Sequence, residues 1–96
     1  MKPSIALSLK REAIREITSR YSAANPRVFG SVVHGDDHEG SDIDLLVDAM
    51  PGATLLDLGG LQVELEELLG VRVDLLTPSD LPLKFRAQVF AEAIPV

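Results

Sequence analysis

Gly30-Ser31, Asp42-Ile43-Asp44 and Asp74 are the residues of this 96-residue chain whose types and spacing can do chemistry. Asp42 and Asp44 lie two positions apart in Ser41-Asp42-Ile43-Asp44-Leu45-Leu46-Val47. On an extended chain both carboxylates share one face, about 7 Å apart, while Ile43, Leu45 and Val47 line the other. The same alternation in Val71-Arg72-Val73-Asp74-Leu75 sets Asp74 opposite three apolar residues. If the two strands are neighbours, three carboxylates converge. Such a cluster repels itself unless a cation sits within it, and Mg²⁺ takes oxygen ligands while keeping waters and phosphates in its remaining positions. Two-metal phosphoryl and nucleotidyl transfer draws its carboxylates from more than one chain position for this reason. Gly30-Ser31 supplies the complement, because glycine permits close backbone approach to an anion and the hydroxyl and nearby N–H groups can bond phosphate oxygens. The pattern reads as a site for a metal-bound triphosphate. Asp42, Asp44 and Asp74 are its metal ligands and catalytic carboxylates, and Gly30, Ser31 and Ser41 its nucleotide contacts. A D-x-D pair alone is weak in a chain rich in Asp; the weight comes from the turn before it and the third carboxylate after it.

These groups need elements to hold them. Leu9, Ala13, Ile14, Ile17 and Tyr21 recur at helical spacing, which predicts an amphipathic helix from about Ser4 to Ala23, ended by Asn25-Pro26. Arg27-Val28-Phe29 and Ile43-Leu45-Val47 have strand character, joined through turn residues Gly35, Asp36, Asp37 and Gly40. A second helix begins at Thr54, capped with Asp57, and runs along Leu55, Leu58, Leu61, Leu65 and Leu68 to a stop at Gly70. Gly59-Gly60 in its middle costs about 2 kcal/mol relative to alanine, so either the helix breaks or something packs very close there. Glu64, Glu66 and Glu67 read as a solvated face. After the Asp74 strand come a Thr77-Pro78-Ser79-Asp80 turn and a last helix, Leu83 to Ala93, with Phe85, Val89 and Phe90 facing inward. The whole reads as one α+β domain, residues 1–96: a short mixed sheet flanked by about three helices.

Gly30-Ser31-x-x-x-Gly35, Ser41-Asp42-Ile43-Asp44-Leu45-Leu46-Val47 and Asp74 resemble the signature of the DNA polymerase beta-like nucleotidyltransferase superfamily. In so short a chain they resemble the minimal nucleotidyltransferase (MNT) antitoxins, and Ala91 to Val96 is similar to that family's tail. The resemblance implies a small nucleotidyltransferase fold, Mg²⁺ as cofactor and ATP as donor. It also implies Asp42, Asp44 and Asp74 as metal ligands, with Asp74 helping to activate the acceptor hydroxyl. The implied partner is a HEPN-domain toxin, neutralised by transfer of AMP to one of its tyrosines. One position departs from the family pattern: His34 stands where an Arg usually precedes the second glycine. Arginine is always charged and forks onto phosphate, whereas an ordinary histidine is mostly neutral at pH 7, so this position offers the donor a weaker grip than the family's arginine.

Composition bounds the alternatives. A chain of this length buries about 65% of its unfolded surface and leaves no room for a separate nucleic-acid-binding domain. Its net charge is −6, with no basic stripe, so direct binding to nucleic acid is not expected. There is no cysteine, hence no disulfide framework or zinc-thiolate site, and no membrane-length apolar run, so a cytoplasmic protein is expected. P-loop, dinucleotide and zincin motifs are missing. Two other readings stand beside the catalytic antitoxin: a non-catalytic antitoxin that neutralises its partner by binding, and a transferase for a small hydroxylated molecule.

Overall fold

Strand β2 (Ile43–Ala49) is the spine of the molecule, because Ile43, Leu45, Leu46 and Val47 are all fully buried. The computed structural model describes residues 1–96. Around β2 lie α1 (Pro3–Leu9), α2 (Arg11–Arg20), β1 (Ala23–Phe29), α3 (Ser31–His34), α4 (Leu55–Leu69), β3 (Val73–Leu76), a 3-10 turn (Pro78–Asp80), α5 (Leu83–Glu92) and β4 (Ile94–Pro95). The sheet order is β3-β2-β1-β4. β1 runs antiparallel to β2 and to β4, whereas β3 runs parallel to β2, the two joined through α4. The mixed sheet flanked by helices is the expected class, with α1, α2 and α4 giving one face Leu7, Ile14, Ile17, Leu61, Leu65 and Leu69 to bury against Val28, Leu45 and Val73.

The first helix is not continuous. Lys10 leaves helical geometry at φ −120°, and its N–H closes α1 onto Leu7 O. The bend turns the buried face to Ala6 and Leu7 and leaves Leu9 67% exposed, so Leu9 is not part of the core stripe. It also brings the start of α1 to the loop after α3, where the carboxylate of Asp37 accepts the Ser4 N–H at 2.9 Å. That bond holds the Asp37 carboxyl below the usual carboxylate range. Nor does Asn25-Pro26 end the helix. The chain turns at Ser22 (φ 57°), and β1 then runs through Asn25 (φ 53°) and Pro26 as a bulge, where the register against β2 shifts. At a bulge the missing proline N–H costs no ladder bond.

Helix α4 is capped as expected at both ends, but Leu55, expected on its apolar stripe, is 87% exposed because the first turn runs past the sheet, and the buried stripe is Leu61, Leu65 and Leu69. Thr54 and Asp57 form the reciprocal cap, and Gly70 closes it in the left-handed region at φ 70°. It does not break at Gly59-Gly60, because the Tyr21 ring packs on Gly60 so closely that a Cβ there would lie 2.8 Å from Cε1. The same addition at Gly59 meets nothing within 4 Å. Gly59→Ala is therefore expected to stabilise the fold by about 0.5–1 kcal/mol through helix propensity. Gly60→Ala gives back that gain by displacing Tyr21 and lowers the melting temperature; calorimetry of the two variants checks the pair.

The last helix departs furthest from expectation. α5 has no buried residue, Leu83 is 80% exposed, and Phe85 and Phe90 are each nearly half exposed rather than packed inward. Leu81, before the helix, takes the buried position instead, following a 3-10 turn that packs against β2. β4 then pairs with Arg27 and Val28 of β1, and Arg11 and Arg15 donate to the carbonyls of Pro95 and Val96. No helix is long and apolar enough to cross a membrane.

Candidate active site

The parallel pairing of β2 and β3 sets Asp44 directly beside Asp74, with Ile43 opposite Val73 in the core below. Adjacent strands are about 4.8 Å apart, so the two carboxylates meet. Asp44 is half-buried, and that burial, the charge of Asp74, a hydrogen bond shared with Asp74 and the charge of Asp42 together push its pKa up to about 6. Asp42, one residue before the strand, lies on the same face by alternation. The expected convergence is thus tight for two carboxylates. The third adds its charge, but the three do not close into a cage ready to hold an ion.

Phe29, the last residue of β1, pairs with Asp44 on the other side, which delivers Gly30 to the same place. Gly30 adopts φ 75° and ψ −146°, and a Cβ on it would collide with the Asp44 carboxylate, 3.1 Å from Cγ and closer still to Oδ2. Only glycine fits both the backbone and the space. The chain then coils into α3, closed by Val33 and His34 N–H groups on Gly30 O at 3.1 and 3.2 Å. The first amides of such a turn have no partner within it, so those of Ser31 and Val32 are the groups a phosphate could use.

Ser41 also has a structural task. Its hydroxyl accepts the His38 N–H at 3.0 Å and its own N–H bonds His38 O at 2.9 Å, which ties the loop that leads into Asp42. His34 is not a free loop histidine either, since its Nε2 lies 3.0 Å from Oε2 of Glu92 on α5. Two further residues have positions that no local pattern signals. Glu66 belongs not to a solvated face alone but accepts the Val73 N–H at 3.0 Å, holding the start of the Asp74 strand. Glu92, 58 positions from His34, meets it only because β4 folds the tail back onto β1.

A hard divalent cation suits this donor set, since carboxylates offer only oxygen and Asp44, half-buried beside Asp74 and near Asp42, gathers negative charge that a cation would balance. The carboxylates lie on an open face. The largest concavity, about 640 Å³, is at the far end of β1 and is lined by Arg15, Thr18, Asn25, Arg27 and Asp48 among others. Its two arginines are committed, Arg15 to Val96 O and Arg27 to Asp48.

A glycine turn beside paired strand carboxylates on a small mixed sheet defines a nucleotidyltransferase, and the chain belongs to the nucleotidyltransferase domain family, whose model matches residues 10–96. A solved structure provisionally named a minimal nucleotidyltransferase is 46% identical, with a TM-score of 0.87 over 97% of this chain and 95% of that one. The protein adenylyltransferase MntA of Thermococcus cleftensis is 39% identical over 82 residues, 85% of this chain and 83% of that protein. The fold also matches a toxin–antitoxin crystal structure with AMP-PNP, at 23% identity and a TM-score of 0.73 over 88% of this chain and 69% of that one.

Proposed function

We propose that this chain is a Mg²⁺-dependent adenylyltransferase and the antitoxin of a HEPN/MNT toxin–antitoxin pair, transferring AMP from ATP to a tyrosine of the partner toxin. The observation that carries this reading is the Asp44–Asp74 pair, set in register on parallel strands against a glycine turn, with the Asp44 pKa raised to about 6. Clustered half-buried carboxylates are costly to keep without a cation. Asp42, Asp44 and Asp74 would hold Mg²⁺, which when bound neutralises charge on the triphosphate. The Ser31 hydroxyl and the first amides of α3 would hold the phosphates, with Ser41 fixing the loop that presents Asp42.

Asp74, exposed at the edge of the sheet, would meet the acceptor. The tyrosine oxygen bonds to the α-phosphorus of ATP, the bond to the α,β-bridging oxygen breaks, and pyrophosphate leaves. Asp74 takes the phenolic proton. The name of the Thermococcus relative supports AMP as the transferred group and a protein as its acceptor. An open carboxylate face supports a protein side chain over a small hydroxylated molecule, which would need an enclosing pocket. We place the reaction in the cytoplasm, where ATP is abundant, and assign it to residues 1–96 as a single domain.

The test is incubation with α-labelled ATP, Mg²⁺ and the protein encoded beside this one. Label on the neighbour, lost with EDTA and with Asp42→Asn/Asp44→Asn, is the expected result. A stable complex without label would make the chain a binding antitoxin and sink the catalytic reading.

A further inference from the structure

We infer that Glu92 is a positioning residue for the donor turn, acting through His34; the inference rests on the adenylyl-transfer reading above and names a group that reading leaves out. α3 is four residues long, too short to hold its shape from its own hydrogen bonds. Val32 and Val33 in its middle are only partly buried against the core, and it ends at once in Gly35 in the left-handed region. Its last residue is His34, and Glu92 Oε2 stands 3.0 Å from His34 Nε2, where the ring N–H donates to the carboxylate. The other Glu92 oxygen accepts from Gln88 Nε2 at 3.4 Å, one turn back on α5.

Glu92 is itself held from behind. A single residue, Ala93, separates it from β4, whose pairing with Arg27 and Val28 is reinforced by Arg11 on Pro95 O, Arg15 on Val96 O, and the Val96 N–H on Pro26 O at 2.9 Å. A tail tied to β1 and α2 therefore presents one carboxylate to the end of a short helix that starts after Gly30, where an added Cβ would strike Asp44. Misplacing such a turn by about 1 Å is enough to cost a large part of a transfer rate. Histidine at 34 is thus used as a strut between α3 and α5 rather than as a charged clamp on phosphate.

Two measurements on the full chain test this. Hydrogen exchange of the nucleotide-free protein should show the Val33 and His34 amides exchanging about fivefold faster in Glu92→Ala, the worth of one ordinary hydrogen bond, with the β2 amides unchanged. Glu92→Gln, which keeps an acceptor oxygen, should lose no more than about twofold. In the transfer assay Glu92→Ala and His34→Ala should each raise KM for ATP about fivefold with kcat nearly constant, and the double variant should lose no more than either single one. Unchanged exchange at Val33 and His34, or additive losses in the double variant, would overturn the inference. If no transfer occurs at all, the functional reading fails, while the exchange result still decides the role of Glu92.

Discussion

Replacing Asp44 with asparagine is expected to cost at least about a thousandfold in AMP transfer and, in the metal-free chain, to raise the melting temperature at pH 7.5. The first effect follows from removing a central anionic group from a site whose work is electrostatic. The second follows from linkage. In the folded chain Asp44 titrates near 6, well above its ordinary 3.8, because burial and the charges of Asp74 and Asp42 oppose its ionisation. Between about pH 4 and 6 the folded chain therefore holds more protons than the unfolded one, so stability falls as pH rises through that window and stays depressed above it. Asparagine removes the penalty. Since the group is half exposed, solvent screening limits the gain to the order of 1 kcal/mol, or about 4–8 °C for a domain of this size. At pH 4 wild type and variant should melt nearly together. Added Mg²⁺ with ATP should raise the melting temperature of the wild type and leave the variant nearly unmoved. A variant less stable than wild type at pH 7.5 would contradict the account of the carboxylate pair.

Gly30→Ala should be nearly as damaging, for steric reasons. Its φ of 75° with ψ of −146° belongs to a region essentially reserved to glycine, and a Cβ there would strike the Asp44 carboxylate. We expect a loss of about 1–3 kcal/mol of stability and a fall in transfer of about a hundredfold as Asp44 is pushed out of line. Gly52→Ala separates the two causes. Gly52 has φ 89° but nothing within 4 Å of the added carbon, so that variant should lose stability while transferring AMP at close to the wild-type rate. Melting curves and single-turnover rates on both variants make the comparison, and equal loss of transfer in the two would remove the steric argument.

The parts of this fold that can be read from the sequence are those whose causes are local. The Thr54–Asp57 cap, the Gly70 stop and the facing of Asp44 and Asp74 each follow from local alternation or capping, and each appears where expected. The break at Lys10 has no proline or glycine to signal it, and it comes with a contact to the distant Asp37 carboxylate that no local pattern shows. Asn25-Pro26 signals an interruption correctly, but whether it ends a helix or bulges a strand is settled by β2 alongside. Phe85 and Phe90 show that an apolar periodicity says which residues can be buried, while the sheet decides whether there is room. The strut from Glu92 to His34 lies beyond any local pattern, since the tail that sets it is fixed by arginines on α2.

β3, the strand that carries Asp74, is the outermost member of the sheet on its side. Its outward amides alternate along the strand, and Glu66 already covers the first of them, at Val73. Beyond Val73 the border, with the partly buried Leu75 and Leu76, is a template for a foreign strand, and a charge within such a border is what natural sheets use to discourage that. On the reading above, the Asp74 carboxylate would discourage self-association as well as serve the site. A silenced protein made by neutralising Asp74 carries a stickier border than one silenced at Asp44, and its failure to bind or transfer can be mistaken for chemistry when it is self-association.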